Sequence, residues 1–228
     1  MSDKERHSEA AEASLIKDED ERARRESENA LAQFDMVLDL IEEVTRTERP
    51  FKLRVSAILS LHRRALDGLS AYAGTPRPGD VSIGKSKHAP PAAHRVPELL
   101  EEMCDYVNEK WVEATPLHLC AYVMWRLNWI HPFVDGNGRT SRAVSYYVLC
   151  AKLGYVLPGQ QTVPEQIAAD KEPYYLALEA ADEAFAKGVV DVSRMENLLD
   201  NCIANQLLSA YRDANDPSAG GPKERKLH

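Results

Sequence analysis

His131, Asp135, Arg139 and Arg142 stand within the stretch HPFVDGNGRTSR, residues 131–142, and their types and spacing suit chemistry on a phosphate. Histidine changes charge near neutral pH, which fits a general base that takes a proton from an attacking hydroxyl. Asp135 offers a hard carboxylate oxygen of the kind Mg²⁺ takes, with phosphates and water completing its shell. Gly136, Asn137 and Gly138 let the backbone approach a ligand and turn their N–H groups into an anion nest. A helix starting near Thr140 would aim its positive end at the same point. Arg139 and Arg142 are three residues apart, so both guanidinium forks can reach phosphate oxygens from one helix face. A helix–loop–helix connection would explain the two glycines and the asparagine. It would not explain a histidine and an aspartate converging with two arginines on that turn.

The flanking pattern supplies rigid elements to hold these groups. Leu117, Ala121, Met124, Leu127 and Ile130 recur at helical spacing, and Pro132 breaks the helix just after His131. A second helix runs from about Thr140 to Leu153 and stops at Gly154. Upstream, Leu31, Phe34, Leu38 and Ile41 mark one helix and Val55, Ile58, Leu59, His62 and Leu66 another. Leu99, Leu100, Met103, Cys104, Val107 and Trp111 make a third stripe. Pro173 suits the first turn of a helix over 173–187, and Ser193 caps one reaching Ala210. The expected fold is all-α.

Residues 74–97 are rich in Gly and Pro and read as a long loop. Inside it, GDVSIGKS (79–86) fits the phosphate-binding loop pattern G-x-x-x-x-G-K-[ST]. That loop needs a strand before it and a helix straight after it. Pro76 and Pro78 stand where the strand should be, and Pro90 and Pro91 stop a helix from following Lys85. Val81, Ser82, Ile83 and Gly84 fit a short extended strand whose edge can pair with a peptide, or an ordinary surface hairpin.

The chain has 228 residues and a formal charge of −8, which argues against phosphate-backbone binding to nucleic acid. Cys104, Cys120, Cys150 and Cys202 are widely spaced and read as reduced core residues. The start, MSDKERHSEA, is charged and unlike a secretion signal, and the apolar run AVSYYVLCAKLGYVL is too short for a membrane span. These features lead us to expect a soluble cytoplasmic protein. His62, His88, His94 and His118 make no close metal-ligand spacing.

HPFVDGNGRTSR resembles in full the signature of the Fic domain family, H-P-F-x-[DE]-G-N-G-R-x-x-R. The resemblance extends over about residues 28–200. It implies a helical bundle with a small β-hairpin flap, and AMP transfer from ATP, with Mg²⁺, to a Ser, Thr or Tyr hydroxyl of a protein. In that reading His131 is the base and Asp135 the metal carboxylate. Gly136, Asn137, Gly138, Arg139, Thr140, Ser141 and Arg142 bind phosphate. GDVSIGKSKHAPP is similar to the family's flap, so Val81, Ser82, Ile83 and Gly84 would align the target. EPYYLALEAAD resembles the region closing over the base, which places Tyr174, Tyr175 and Asp182 near the adenine; both tyrosines also read as core residues of their helix. Asp182 stands where relatives can carry Asn.

Many members of the family carry an inhibitory helix with [ST]-x-x-x-E-[GN], whose Glu competes with phosphate for the second motif arginine. Glu28-Asn29 resembles its N-terminal version, although Arg24 replaces the Ser or Thr, and Glu196-Asn197 is the alternative. Both acids also fit solvated helix faces. The implied organisation is a charged arm (1–26), a Fic domain with an N-terminal inhibitory helix (27–212) and a disordered tail (213–228). A target protein is the implied partner, with self-modification and a homodimer as further options. The same site would serve AMP removal or transfer of another phosphate-bearing group, and a nucleotide-binding regulatory module with little turnover is the reading from a different class.

Overall fold

The computed structural model describes residues 8–9, 15–47 and 50–215, and among them eight α-helices carry almost all of the regular structure. α1 (Glu19–Arg46), α2 (Val55–Leu66), α3 (Val96–Glu109), α4 (Pro116–Ile130), α5 (Asn137–Leu153), α6 (Val163–Ala169), α7 (Glu172–Phe185) and α8 (Ser193–Asn215) follow in chain order. Strand β1 (Ser8–Glu9) pairs antiparallel with β2 (Ser82–Ile83).

α4 is the centre of the bundle. It is apolar nearly all round, the pattern of a helix buried on every side. α5 packs along it, α1 and α2 cover α5, and α3, α7 and α8 close the remaining faces of α4. The sides of the bundle are drawn together by Trp125, Tyr146, Phe133 and Tyr174, all essentially without exposure. All four cysteines are free and buried in this core. Among the described residues no helix is long and apolar enough to cross a membrane.

α1 differs most from its sequence pattern. Its apolar residues begin at Leu31, yet the helix starts at Glu19, where the Asp18 carboxylate accepts from the Glu21 N–H at 2.8 Å. Three acids in the first turn favour that start through the helix dipole. Its contact with α2 is polar as well as apolar. Asn29 donates to the carbonyls of Ala65 and Asp67, and Gln33 to that of Leu61. The Ala65 carbonyl is one that the end of α2 leaves without a helical partner, and Asp67 is the residue that caps that end. α8 runs to Asn215, so residues 213–215, expected in the tail, are helical; residues 1–7, 10–14 and 216–228 lie outside the described residues.

α6 is absent from the helices expected above. Its signal was present, a capping box in which Thr162 and Glu165 exchange bonds, with Pro164 in the first turn. The flap also departs from expectation. β2 finds its partner in β1 and makes no hairpin within residues 79–91. Lys85 turns the chain at φ 61° straight after it, and Pro90 and Pro91 have no N–H to offer a returning strand.

Candidate active site

The motif loop joins the end of α4 to the start of α5, and its shape is fixed by groups buried beneath it. His131 ends α4 in the left-handed region, φ 50° and ψ 58°, with its N–H bonded to the Leu127 carbonyl at 3.0 Å. Its own carbonyl accepts from Arg77 Nε at 2.8 Å. Phe133 is fully buried and anchors the loop. The Asn137 amide bonds Phe133 in both directions: its Oδ1 accepts from the Phe133 N–H at 3.0 Å, and its Nδ2 donates to the Phe133 carbonyl at 2.9 Å. Asn137 is therefore a brace for the loop, its side chain directed into the loop backbone. Gly136 has φ 76°, and a Cβ there would lie 2.4 Å from Leu66 Cδ2, so only glycine fits.

His62 supports the loop from below and had no assigned role in the sequence. Its ring stacks on Phe133 with centroids 3.6 Å apart. Nδ1 accepts from the Gly74 N–H at 2.9 Å, which leaves Nε2–H to donate to the Asp135 carbonyl at 3.0 Å. Burial pushes this histidine's pKa down to about 4, so it is a neutral brace at physiological pH.

Above the loop lies a cleft of about 530 Å³, within the range of small-molecule sites. His131, Asp135, Gly136, Asn137, Gly138, Arg139 and Arg142 reach it from the motif. Tyr174, Tyr175 and Asp182 reach it from α7, and Ile83 from the flap. His131 is almost wholly buried, and its pKa falls to about 4, chiefly through loss of solvation, with nearby Arg77 adding to the effect. Its imidazole is thus neutral at pH 7 and able to accept a proton. Arg139 donates to Asp135 Oδ2 at 3.0 Å, and half of the Asp135 side chain remains exposed. The α5 ladder reaches back to Gly136 first from the Thr140 N–H, at 2.9 Å. The N–H groups of Gly138 and Arg139 precede it and have no acceptor within the helix.

Other expected residues fall outside the cleft lining. Thr140 and Ser141 are fully buried on the core side of α5, since residues 138, 139 and 142 occupy the cleft side. Ser141 Oγ donates to the Gly138 carbonyl and lies 3.3 Å from the Tyr174 hydroxyl, while the Thr140 hydroxyl has no hydrogen-bond partner among the described residues. Val81, Ser82 and Gly84 also stand outside the lining. Glu28 points away, 60 % exposed and 3.9 Å from Arg25, whereas Arg22 and Glu26 of α1 do line the cleft. One helical turn joins those two, whereas Glu28 is about 200° further round than Glu26. Glu196 bonds His118 Nδ1 at 2.7 Å near the start of α4, and His131 ends that helix about 20 Å away.

The α7 end of the cleft is shaped by bonds between side chains. Asn128 donates to the Tyr174 hydroxyl at 2.6 Å, and Asp182 Oδ1 accepts from the Trp125 indole at 2.8 Å. Tyr174 is thus both a core residue and a cleft wall, at 2 % exposure. His88 ties the flap to α4 by donating to the Trp129 carbonyl at 2.7 Å, and its ring is 3.8 Å from Asp182. Arg77 holds the flap's base. Besides the His131 carbonyl it donates to those of Gly79, at 2.9 Å, and Pro91. A lone arginine in a Pro-rich loop carried no periodic signal for that role.

This geometry coincides with what known proteins match. Residues 52–149 match the sequence model of the Fic/DOC family. They form a Fic domain. The chain is 31 % identical over 137 residues to the protein adenylyltransferase Fic of Drosophila willistoni, a match that covers 58 % of this chain and 25 % of that protein. It is 32 % identical over 116 residues to protein adenylyltransferase fic-1 of Caenorhabditis briggsae, covering 50 % of this chain and 22 % of that one. The chain thus spans about a quarter of the length of the curated relatives it matches. In fold it is similar to a Fic domain containing signaling protein from Bacteroides thetaiotaomicron, with TM-score 0.67, 21 % identity, and coverage of 87 % of this chain and 75 % of that one. The bundle described above is accordingly a Fic-type helical fold.

Proposed function

We propose that this chain is a protein adenylyltransferase, moving AMP from ATP to a Ser, Thr or Tyr hydroxyl of a target protein. The observation that carries the reading is one cleft in which a neutral His131 faces Asp135, Arg139, Arg142 and the start of α5. In this reaction His131 takes the proton of the target hydroxyl as its oxygen attacks the α-phosphorus. The bond from that phosphorus to the bridging oxygen breaks, and pyrophosphate leaves. Negative charge spreads over oxygens that Arg139, Arg142 and the N–H groups of Gly138 and Arg139 face from fixed positions. Tyr174, Tyr175 and Asp182 form the wall for the adenine. The Asp135 carboxylate, half exposed at the cleft, suits Mg²⁺, which would neutralise phosphate charge there.

α1 supplies the restraint. An acid that competes with phosphate for a motif arginine must lie in the cleft, and on α1 that acid is Glu26, two residues before the position suggested by the sequence. The flap strand β2 supplies a main-chain edge for the target.

Pyrophosphate release tests the reaction. Purified protein with ATP, Mg²⁺ and a cell lysate should release pyrophosphate and leave AMP on protein side chains by mass spectrometry, and His131→Ala should do neither. Equal AMP transfer by His131→Ala would overturn the reading.

A further inference from the structure

The edge of β2 is occupied by this chain itself. Ser8 stands opposite Ile83 and Glu9 opposite Ser82, in antiparallel register. The edge adjoins the cleft, since Ile83 and Ser86 help to line it. Among the described residues β2 pairs with no other strand. Antiparallel pairing uses main-chain N–H and C=O groups, so an extended segment of almost any sequence can make it. A two-stranded ribbon this short is marginal in water and is readily exchanged for another strand.

We propose that the segment carrying Ser8–Glu9 is a cis ligand of the flap edge, which an extended segment of the target must displace. The importance of the edge rests on the transferase reading above; the pairing itself does not. A tethered ligand acts at an effective concentration in the millimolar range, so a segment whose own dissociation constant for the edge is about 0.1 mM weakens any competing strand about tenfold. The N-terminal segment thereby selects for targets that compete well for the strand position.

The test uses the full chain with Ser8→Pro and Glu9→Pro together, which removes both strand N–H groups. Ser8→Ala with Glu9→Ala, which keeps them, is the control. Amide hydrogen exchange at whichever of Ser82 and Ile83 donates to β1, without nucleotide, should be faster in the proline variant and unchanged in the alanine one. A fluorescent peptide spanning the sequence of residues 4–13, added in trans, should bind the proline variant about tenfold more tightly than wild type. Adding Ser82→Pro and Ile83→Pro to that variant should abolish peptide binding. Unchanged exchange, or equal peptide affinity for wild type and the proline variant, would overturn the proposal. Exchange that speeds up on dilution would assign the strand to a second copy and overturn the cis arrangement. Neither readout needs ATP, so failure here and failure of AMP transfer are separate results.

Discussion

Arg77 Nε donates to the carbonyl oxygen of His131 at 2.8 Å, so the base of the flap and the end of α4 are held by one guanidinium. Its other nitrogens reach Gly79 and Pro91, and together these bonds keep the 79–91 loop in register with His131. Lysine has no planar fork and cannot span three carbonyls. Arg77→Lys should lower kcat/KM for a protein target by about ten- to a hundredfold, as misplacement of a reacting group does. KM for ATP should change little. Steady-state kinetics with each substrate varied separately will check this.

In the proposed reaction the low pKa of His131 sets the acid limb. A base works when deprotonated, and burial pushes this one down to about 4. The profile of kcat/KM against pH should therefore stay level from pH 8 to about 5 and fall only near pH 4. A half-point near 6.5, the ordinary histidine value, would contradict the buried geometry.

His62 links pH to stability. Its folded pKa of about 4 lies below the unfolded value of 6.5, so the unfolded chain binds the extra proton more readily. Its contribution is complete above about pH 6.5 and is lost as pH falls toward 4, by up to roughly 3 kcal/mol. Urea unfolding across pH 4–7 should show a shallower slope in His62→Phe than in wild type.

Asn137→Ala removes both bonds to Phe133 and leaves a buried N–H and C=O without partners. A cost of about 2–4 kcal/mol is expected, from the penalty for each orphaned group. Thermal unfolding should show a Tm lower by roughly 5–15 °C. Activity should fall with it because the loop loses its brace.

Glu26→Gly should raise AMP transfer several-fold if α1 restrains the cleft, while Glu28→Gly should leave it near wild type. The order of these two variants, measured as initial rates, checks which acid faces the cleft.

The bundle and most of the site were legible because they rest on local pattern. The stripe from Leu117 to Ile130, the break at Pro132 and the stop at Gly154 fixed α4, the loop and α5 from sequence spacing alone. His131, Asp135, Arg139 and Arg142 followed, since neighbours on a loop and one helical turn must share a face. What stayed hidden depended on contacts across the chain. The stacking of His62 on Phe133 joins residues far apart in sequence, as does the grip of Arg77 on His131. α1 starts early because a cap and acidic first turn extend it beyond its apolar stripe, and Glu26 rather than Glu28 lines the cleft because of how that helix packs across the chain. Thr140 and Ser141 face the core because tertiary packing, which the motif does not encode, decides which side of α5 is buried.

In the proposed reaction this cleft directs attack on the α-phosphorus with His131 as base. The most direct measurement supplies ATP labelled at the α- or at the γ-phosphate and follows label bound to protein in wild type, His131→Ala and Glu26→Gly. Transfer of α-label only is expected, more in Glu26→Gly and none in His131→Ala. Transfer of γ-label, or α-label that persists without His131, would contradict it.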